Sequence, residues 1–364
     1  MKVVHQTTVF TRVPLKWDVH LQVHVCTKGQ IMYAYIRRMK CLFEWPLCIS
    51  LWLCVPSLIF TSCSDRKIIE PLTIQGETVL DSVPSGSGLA IYKNSIYIIG
   101  DDATGVYILD QQNFSPLKIP IAGFKPDEYR QPRDTKHDFE SATLVDWQGQ
   151  EYLLAFGSGS KKNLRDSLLL FNVNNHSDQR IISLTPFYNE LQRITSTEAS
   201  QWNMEGATVV ADSLILCNRG NNIVIKIGLE KFLQHILEDK AAFPEIVYHR
   251  ILLPMIDKRE ARFSGICTLS DSLLLFCASV EDTPDWTQDG PVMGSYVGIY
   301  SISKNELVAS YLLKNTDGEV LKEKIESIDI LDKQNDMIHL LAIADNDNGS
   351  SKLFRLTLQL DTTR

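Results

Sequence analysis

Carboxylate side chains recur at one position of a segment that is repeated along the sequence. Glu140, Glu205 and Glu326 each precede a small residue and then apolar residues, and Ser87 and Ser264 take the same position in two further copies. Successive copies are 53, 65, 59 and 62 residues apart. If the copies are arranged around one axis, these side chains converge, and converging carboxylates raise one another's pKa or attract a cation. The pattern therefore indicates a polar site that several copies build together.

Residues that follow the second apolar stretch of each copy add oxygen donors to this site. Ca²⁺ takes about six to eight oxygen ligands from carboxylates, carbonyls and water, and calcium is the ion that this set suits. The metal-ligand candidates are Glu140, Glu205, Asn218, Glu281, Glu326 and Asp345. An architectural role is the alternative, because a Glu at a strand start can accept hydrogen bonds from the backbone of the neighbouring copy.

A second set of candidates lies in loops that are expected on the same face. The ligand-binding candidates are His137, Lys161, Lys162, Arg165, Arg219 and Trp286. Residues 157–160 (GSGS) can expose backbone N–H groups to an anion. Trp286 lies in a long loop, residues 281–294, and such loops often form lids or binding loops. These residues predict a small anionic or carbohydrate ligand, and solvated loop charge is the alternative.

The elements that position these residues form a repeated unit of strands. Each copy passes through a short turn typical of hairpins into a dense apolar stretch, such as residues 214–217, that is typical of a strand buried on both faces. A third strand follows in every copy and a fourth in all but the last. Residues 67–74, before the first copy, can supply the missing strand.

This organisation predicts an all-β fold, a five-bladed β-propeller of four-stranded blades over residues 68–360, with the last blade closed by the N-terminal strand. A six-bladed propeller or a β-sandwich is the alternative. Residues 229–239 form the one predicted helix. Closure of the ring would remove the open sheet edges that invite aggregation.

Three cysteines, Cys217, Cys267 and Cys277, lie within the predicted propeller. An odd number of cysteines does not form a closed disulfide framework. Cys267 and Cys277 lie on one predicted hairpin, whose two-residue turn would put Leu274 opposite Cys267. Buried free thiols are therefore favoured over a disulfide.

The N-terminal region carries signals of export. Residues 47–60 are almost entirely apolar. This run is too short for a membrane span, which needs about 20 residues, but it suits the core of a signal peptide. Arg37, Arg38 and Lys40 supply the preceding positive charge.

Residues 60–63 (FTSC) resemble a bacterial lipobox, in which Cys63 would be acylated and become the mature N-terminus. We expect residues 39–62 to be a signal peptide and residues 1–38 to belong to an over-long start. The chain would then be exported and anchored by its lipid to the cell envelope, at the outer membrane. An ordinary signal peptide or an uncleaved anchor is the alternative.

The net charge of the mature chain limits the kinds of partner that it can bind. A chain beginning at Cys63 has 29 basic and 42 acidic residues, a net charge of −13. Such a chain has no overall positive field to attract nucleic acid. We therefore expect no nucleic-acid partner, and we expect a monomer that contacts the membrane through its lipid.

Three segments carry a resemblance to known proteins: residues 138–145 (DFESATLV), 156–167 (FGSGSKKNLRDS) and 203–210 (NMEGATVV). With the repeated Glu–small–apolar start, they resemble an uncharacterised family of exported bacterial lipoproteins with a β-propeller. More distantly they resemble the phytase-like (esterase-like) and regucalcin/gluconolactonase propellers. The regucalcin-like resemblance implies a channel metal held by acidic and Asn residues, although those relatives usually have six blades.

The sequence leaves two functions open. It holds no G-x-S-x-G nucleophile elbow, no HExxH, no P-loop and no CxxC pair. This favours an envelope protein that binds a ligand or partner at the channel face. The alternative is a divalent-metal-dependent hydrolase of a phosphoester, ester or lactone, so whether the chain is an enzyme stays open.

Overall fold

The computed structural model describes residues 71–238, 242–283, 290–346 and 348–360. Within them, strands form five antiparallel sheets of four strands each and one two-stranded hairpin. The innermost strand of each four-stranded sheet contacts those of the two neighbouring sheets, and the last sheet contacts the first. The five-bladed propeller is therefore confirmed, and a β-sandwich or a six-bladed ring is excluded.

The blades follow one another in chain order, each with its innermost strand first, except that the first strand of the chain, β1 (Leu72–Leu80), belongs to blade 5. Blade 1 consists of β2 (Gly86–Tyr92), β3 (Ser95–Gly100), β4 (Gly105–Asp110) and β5 (Pro116–Pro120). Blade 2 consists of β6 (Phe139–Trp147), β7 (Gln150–Gly157), β8 (Ser167–Asn172) and β9 (Gln179–Ser183). Blade 3 consists of β10 (Met204–Val210), β11 (Ser213–Asn218), β12 (Ile223–Gly228) and β13 (Ile246–Arg250).

A short hairpin of β14 (Met255–Ile256) and β15 (Arg259–Glu260) separates blades 3 and 4. Blade 4 consists of β16 (Arg262–Ser270), β17 (Leu273–Glu281), β18 (Val292–Ser301) and β19 (Glu306–Leu312). Blade 5 consists of β20 (Ile325–Gln334), β21 (Met337–Asp345), β22 (Ser351–Gln359) and β1.

Strand β1 completes the last blade. It pairs antiparallel with β22, from Leu72 opposite Leu358 to Leu80 opposite Ser351. The predicted N-terminal strand is therefore confirmed, but it extends to Leu80, because pairing with β22 resumes after a bulge near Gly76. Part of the predicted stretch, residues 67–70, lies outside the described residues.

The dense apolar second strands form the contacts between blades. Leu214 and Leu216 of β11 pack in the core shared with blade 2, beside Phe156. Their neighbours Ile215 and Cys217 point the other way, into the core shared with blade 4. Because successive side chains of a strand alternate between faces, a strand between two blades needs apolar residues at every position, which is the pattern in the sequence.

Two helices pack together beside blades 2 and 3. The predicted helix is present as α2 (Leu229–Leu237). An unpredicted helix, α1 (Thr185–Thr195), begins with a Pro in its first turn, where proline fits, and buries Phe187, Tyr188 and Leu191. The expectation of one helix was wrong, because this short amphipathic stretch follows a strand directly and packs on α2, where the rings of Phe187 and Phe232 lie 5.1 Å apart.

The described cysteines Cys217, Cys267 and Cys277 are buried free thiols. The residue opposite Cys267 is Leu275 rather than Leu274. The two-residue turn lies at residues 271–272, one residue later than a pairing of Cys267 with Leu274 requires, and alone it would put Phe276 opposite Cys267. A register shift between Thr268 and Ser270 then brings Leu275 to that position. Among the described residues, no helix combines the length and apolar character that crossing a bilayer requires.

Candidate functional site

A polar cavity of about 620 Å³ lies at one end of the central channel. Glu140, Glu205 and Glu326 line it from the starts of β6, β10 and β20. Asp101 and Glu281 line it from the ends of β3 and β17. The repeat therefore brings these carboxylates together on one face, as its spacing predicts.

A β-bulge recurs at the repeated position. The pairing of each innermost strand with its second strand skips one residue there: Ser87, Glu140, Glu205, Ser264 and Glu326. A bulge leaves one residue out of the ladder and re-aims its side chain. This geometry gives the Glu–small motif a structural reason, since the bulged Glu residues line the cavity.

The small residue after the bulge is required by close approach of the innermost strands. A Cβ added to Gly265 would lie 2.8 Å from the backbone carbonyl oxygen of Glu326, and one added to Gly88 would lie 2.9 Å from the backbone of Ser141. These contacts leave no room for a larger side chain. In the Glu–small motif, the small residue thus allows the inner strands to pack closely, and the Glu places a carboxylate in the cavity.

The first cluster in the cavity centres on Lys136. Its ammonium group forms ion pairs with Asp101 and with Asp138, the latter at 2.7 Å. Arg165 Nη1 lies 3.1 Å from the other oxygen of Asp138. Burial lowers the pKa of Lys136, but Asp138 and Asp101 outweigh that effect, so the pKa lies above its ordinary value and the side chain stays charged.

The second cluster centres on Arg219, whose side chain is 4% exposed. It forms ion pairs with Glu281 and, at 3.8 Å, with Glu205. Asn203 Nδ2 also donates a 2.6 Å hydrogen bond to Glu205 Oε1. Burial raises the pKa of Glu205 to about 8, although Arg219 and Lys324 oppose the shift.

The third cluster is the pair of Lys324 and Glu326, 2.9 Å apart. Burial lowers the pKa of Lys324, but Glu326 more than compensates, so the pKa lies above its ordinary value. Burial also raises the pKa of Glu326, with Lys324 and Arg219 acting against it. The cavity thus holds cations supplied by the chain itself.

Glu140 differs from the other repeated carboxylates. Within the described residues its side chain has no hydrogen bond and no ion pair within 4.0 Å. Burial, followed by repulsion from Glu205 and Asp138, raises its pKa well above the ordinary value. The residue is only partly buried, so water reaches its carboxylate, and a proton or a cation would stabilise it further.

Several buried polar atoms of the cavity wall lack a hydrogen-bond partner among the described residues. They are Asp101 Oδ1, Arg165 Nε, Glu205 Oε2, Arg219 Nη1 and Glu326 Oε2. Buried polar groups in folded proteins are almost always satisfied, by protein, water or ligand. Five such atoms belong to residues that line the cavity, which makes it a candidate site for a polar ligand.

Residues 82–358 match the sequence model of a family of unknown function, DUF6929. The chain belongs to DUF6929. The match spans the inner strands of all five blades, so the bulges and the cavity of this DUF6929 protein fall within the family region. No curated protein sequence matches the chain.

Solved structures resemble this DUF6929 protein only in their general fold. Myxococcus xanthus glutaminyl cyclase is 8% identical, with a TM-score of 0.45, over 80% of this chain and 97% of its own. A putative exported protein from Bacteroides fragilis is 12% identical, with a TM-score of 0.36, over 79% of this chain and 96% of its own. At these values the similarities carry no functional argument.

The DUF6929 fold brings most of the sequence-predicted site residues together. Eight of them line the cavity: Glu140, Lys161, Arg165, Glu205, Arg219, Glu281, Glu326 and Asp345. Lys162 is exposed and is not among the lining residues. Trp286 and Cys63 lie outside the described residues.

Two further candidates have other contacts. Asn218 is buried behind the cavity wall, where its Oδ1 accepts a 2.6 Å hydrogen bond from the backbone N–H of Asn203, and its Nδ2 donates to the Gln201 carbonyl at 2.8 Å. His137 stacks on Phe139 at 5.3 Å, and its Nδ1 lies 3.1 Å from Ser167 Oγ. Burial lowers the pKa of His137, so the neutral ring is favoured. Neither side chain lines the cavity.

A group with the spacing of metal ligands is present, but it differs from the predicted set. Carboxylate oxygens of Asp101, Asp138 and Glu140 lie within 4.8 Å of one another. Glu140 alone belongs to both sets. The Lys136 ammonium group already lies 2.7 Å from Asp138 and pairs with Asp101, so a lysine takes the place where a cation would bind.

Sequence reasoning left out Asp138, Asn203 and Lys324 as site residues. Each lies two residues before a repeated Glu. When the five copies are aligned, the position two residues before the repeated Glu or Ser is polar or charged in every copy. Ser85 and Arg262 occupy it in the two copies that have Ser. That upstream position is the signal that would have found them.

Proposed function

We propose that this protein binds a small polar ligand in the channel-face cavity of its propeller. The observation that carries the proposal is the set of five buried polar atoms that have no hydrogen-bond partner among the described residues and belong to residues lining the cavity. The volume of about 620 Å³ supports it, since small-molecule sites span about 300 to 1,000 Å³. The polar wall favours a sugar acid, a phosphorylated sugar, an amino acid or a polyol over an apolar compound.

Ligand-induced stabilisation tests this proposal. Thermal unfolding of the full-length protein is measured against a panel of those four compound classes, and every hit is titrated by calorimetry. We expect at least one class to bind once per chain and to raise the melting temperature in a saturable way. If no class does so, the binding proposal is wrong.

The Arg219→Lys variant tests whether a compound that binds does so in the cavity. The substitution keeps a positive charge near Glu205 and Glu281 but removes the planar fork that carries Nη1, which has no hydrogen-bond acceptor among the described residues. We expect weaker binding with an intact fold. Unchanged affinity in this variant would place the ligand elsewhere.

A divalent-metal-dependent hydrolase is the second candidate, because the Asp101, Asp138 and Glu140 oxygens have ligand spacing. The fit is poorer than for an organic ligand, since Lys136 would have to leave two of the three carboxylates. Melting curves with Ca²⁺ or with EDTA, together with hydrolysis assays on phosphoesters and lactones, test this candidate. The hydrolase candidate fails if two results are obtained together. The first is that neither Ca²⁺ nor EDTA shifts the melting transition, either of the original protein or of Glu140→Gln. The second is that no substrate is cleaved.

We further propose that the protein is exported and lipid-anchored to the cell envelope. The support is the apolar run at residues 47–60 followed by Cys63. Labelling with a radioactive fatty acid, followed by membrane fractionation, tests it. Cys63→Ser is expected to lose the label and the membrane association, and a labelled variant would contradict the assignment.

A further inference from the structure

The wall of the cavity carries more negative than positive charge. Among the described lining residues, the inner carboxylates are Asp101, Asp138, Glu140, Glu205, Glu281 and Glu326. The inner cations are Lys136, Arg165, Arg219 and Lys324. Six carboxylates therefore face four cations, so the carboxylates are in excess by two when all of them are ionised. Burial raises the pKa of Glu205 to about 8, so proton uptake offsets part of this excess at neutral pH.

The opening of the cavity has the opposite sign. Arg133, Lys161 and Lys322 line the cavity and are exposed, so they lie where it meets solvent. Glu323 and Asp345 also lie near the opening, but Glu323 forms an ion pair with Lys352. Among the described lining residues, the opening therefore offers more cations than anions above an acidic interior.

The unused hydrogen-bonding capacity of the interior is mostly that of acceptors. Asp101 Oδ1, Glu205 Oε2 and Glu326 Oε2 lack donors among the described residues, and Glu140 has neither a hydrogen bond nor an ion pair there. An ammonium group supplies three N–H donors and one positive charge. It would correct both the missing charge and the missing donors, whereas a neutral sugar would correct only the second.

We infer that the cavity binds a small zwitterion, with its primary ammonium group among Glu140, Glu205 and Glu326 and its anionic group toward Arg133, Lys161 and Lys322. This inference rests on the proposed ligand-binding function and adds the chemical class of the ligand. Lys136 and Lys324 are already paired with their own carboxylates. The ammonium group at this position is therefore expected to come from a ligand. The basic opening then selects ligands that also carry a carboxylate or a phosphate.

Matched pairs of amines and their N-acetyl derivatives test the inference. The probes are L-glutamate, glycyl-L-glutamate and glucosamine 6-phosphate, each compared with its N-acetyl form by calorimetry on the full-length protein. Acetylation removes the charge of the nitrogen and leaves the anionic group in place. We expect at least one free amine to bind once per chain, and its N-acetyl form to bind at least about tenfold more weakly, as expected for loss of a charged hydrogen bond.

Two substitutions locate the ammonium group. Glu140→Gln removes a carboxylate that has no partner among the described residues, so it breaks no ion pair there, and we expect it to weaken amine binding about tenfold. Glu77→Gln is the matched control, since Glu77 is exposed on β1, away from the cavity. We expect it to leave the affinity unchanged.

Proton release provides a readout that does not depend on a substitution. Burial raises the pKa of Glu205 to about 8, so this carboxyl group holds a proton in most molecules at pH 7. Binding of an ammonium group favours the ionised carboxylates and expels a proton. Calorimetry at pH 7 in two buffers of different ionisation enthalpy measures this release.

The outcomes separate the two proposals. Equal binding of a free amine and its N-acetyl form, full affinity in Glu140→Gln, or failure of all three amines to bind overturns the inference. If sugar acids or polyols still bind in the wider panel, the proposed ligand-binding function stands and the zwitterion class alone is wrong. If nothing in the panel binds, both fail.

Discussion

Glu205→Gln is expected to stabilise the protein at neutral pH and to flatten the pH dependence of its stability. Burial raises the pKa of Glu205 from 4.5 to about 8 in the folded protein. Between these values the unfolded chain has lost the proton while the folded protein keeps it. The folded state is therefore penalised as pH rises above 4.5, and the penalty levels off once the pH passes the folded-state pKa.

The size of the effect follows from those two pKa values. Each pH unit between them is worth about 1.36 kcal/mol. The Glu205 carboxyl group then costs about 1 kcal/mol at pH 5, about 3 kcal/mol at pH 7 and about 5 kcal/mol at pH 9. A glutamine has no proton to lose, so the variant should recover much of this free energy.

The contacts of Glu205 support a mild substitution. Asn203 Nδ2 donates to Glu205 Oε1, and the amide oxygen of a glutamine can accept the same hydrogen bond. Arg219 lies 3.8 Å from Glu205 but keeps its ion pair with Glu281. The local cost is therefore small relative to the recovered penalty.

Urea denaturation of the full-length protein at pH 5, 7 and 9 measures the difference in unfolding free energy. We expect the advantage of the variant to increase with pH and to reach about 1 to 3 kcal/mol at pH 7. Glu77→Gln, on an exposed position, should leave the pH profile unchanged. A Glu205→Gln protein that is less stable than the original by the same amount at all three pH values would refute the reasoning, because it would show that Glu205 is ionised and bound to Arg219 throughout.

Three further outcomes follow from the same structure. Arg219→Met should lower the unfolding free energy at pH 8 by about 3 kcal/mol or more in urea titrations, since it leaves the buried Glu281 carboxylate without its cation and removes the cation 3.8 Å from Glu205; the share of the loss that comes from Glu205 should shrink toward pH 5, where that group holds its proton. Gly265→Ala should cost about 1 to 3 kcal/mol through its contact with the neighbouring inner strand, whereas Gly228→Ala, with open space around it, should change stability by less than about 1 kcal/mol. Deletion of the chain up to the end of β1 should abolish the cooperative unfolding transition, because blade 5 would lose its fourth strand; a deletion variant with an unchanged transition would show that β1 is dispensable.

The sequence predicted the fold well because the propeller imposes a local pattern in every blade. Residues 214–217 must be apolar on both faces, since Leu214 and Ile215 pack into different inter-blade cores. The turn before them and the spare N-terminal strand complete the pattern. Helix α1 escaped prediction because its stability comes from contacts with α2, and a short amphipathic stretch does not reveal its partner.

The site was predicted in part. The repeated Glu residues marked the face on which the cavity lies, because the bulge that directs them into it occurs at the same position in each blade. The partner cations were harder to predict, since Lys136 and Lys324 enter from segments outside the aligned motif. Asn218 shows the opposite case: it lies at a suitable strand end, but backbone groups of the adjacent loop take up its amide.

The internal cations are the strongest argument about what kind of ligand the cavity accepts. A calcium site gathers carboxylates that have no other partner, and here Lys136 and Arg219 each bridge two carboxylates. Displacing either would leave buried charges of one sign facing each other. An organic ligand avoids this cost, because it can use the atoms that remain free and leave the ion pairs intact. The ring of bulges thus builds a wall that is already neutralised in most places, with Glu140 as the position where a guest would supply the missing charge.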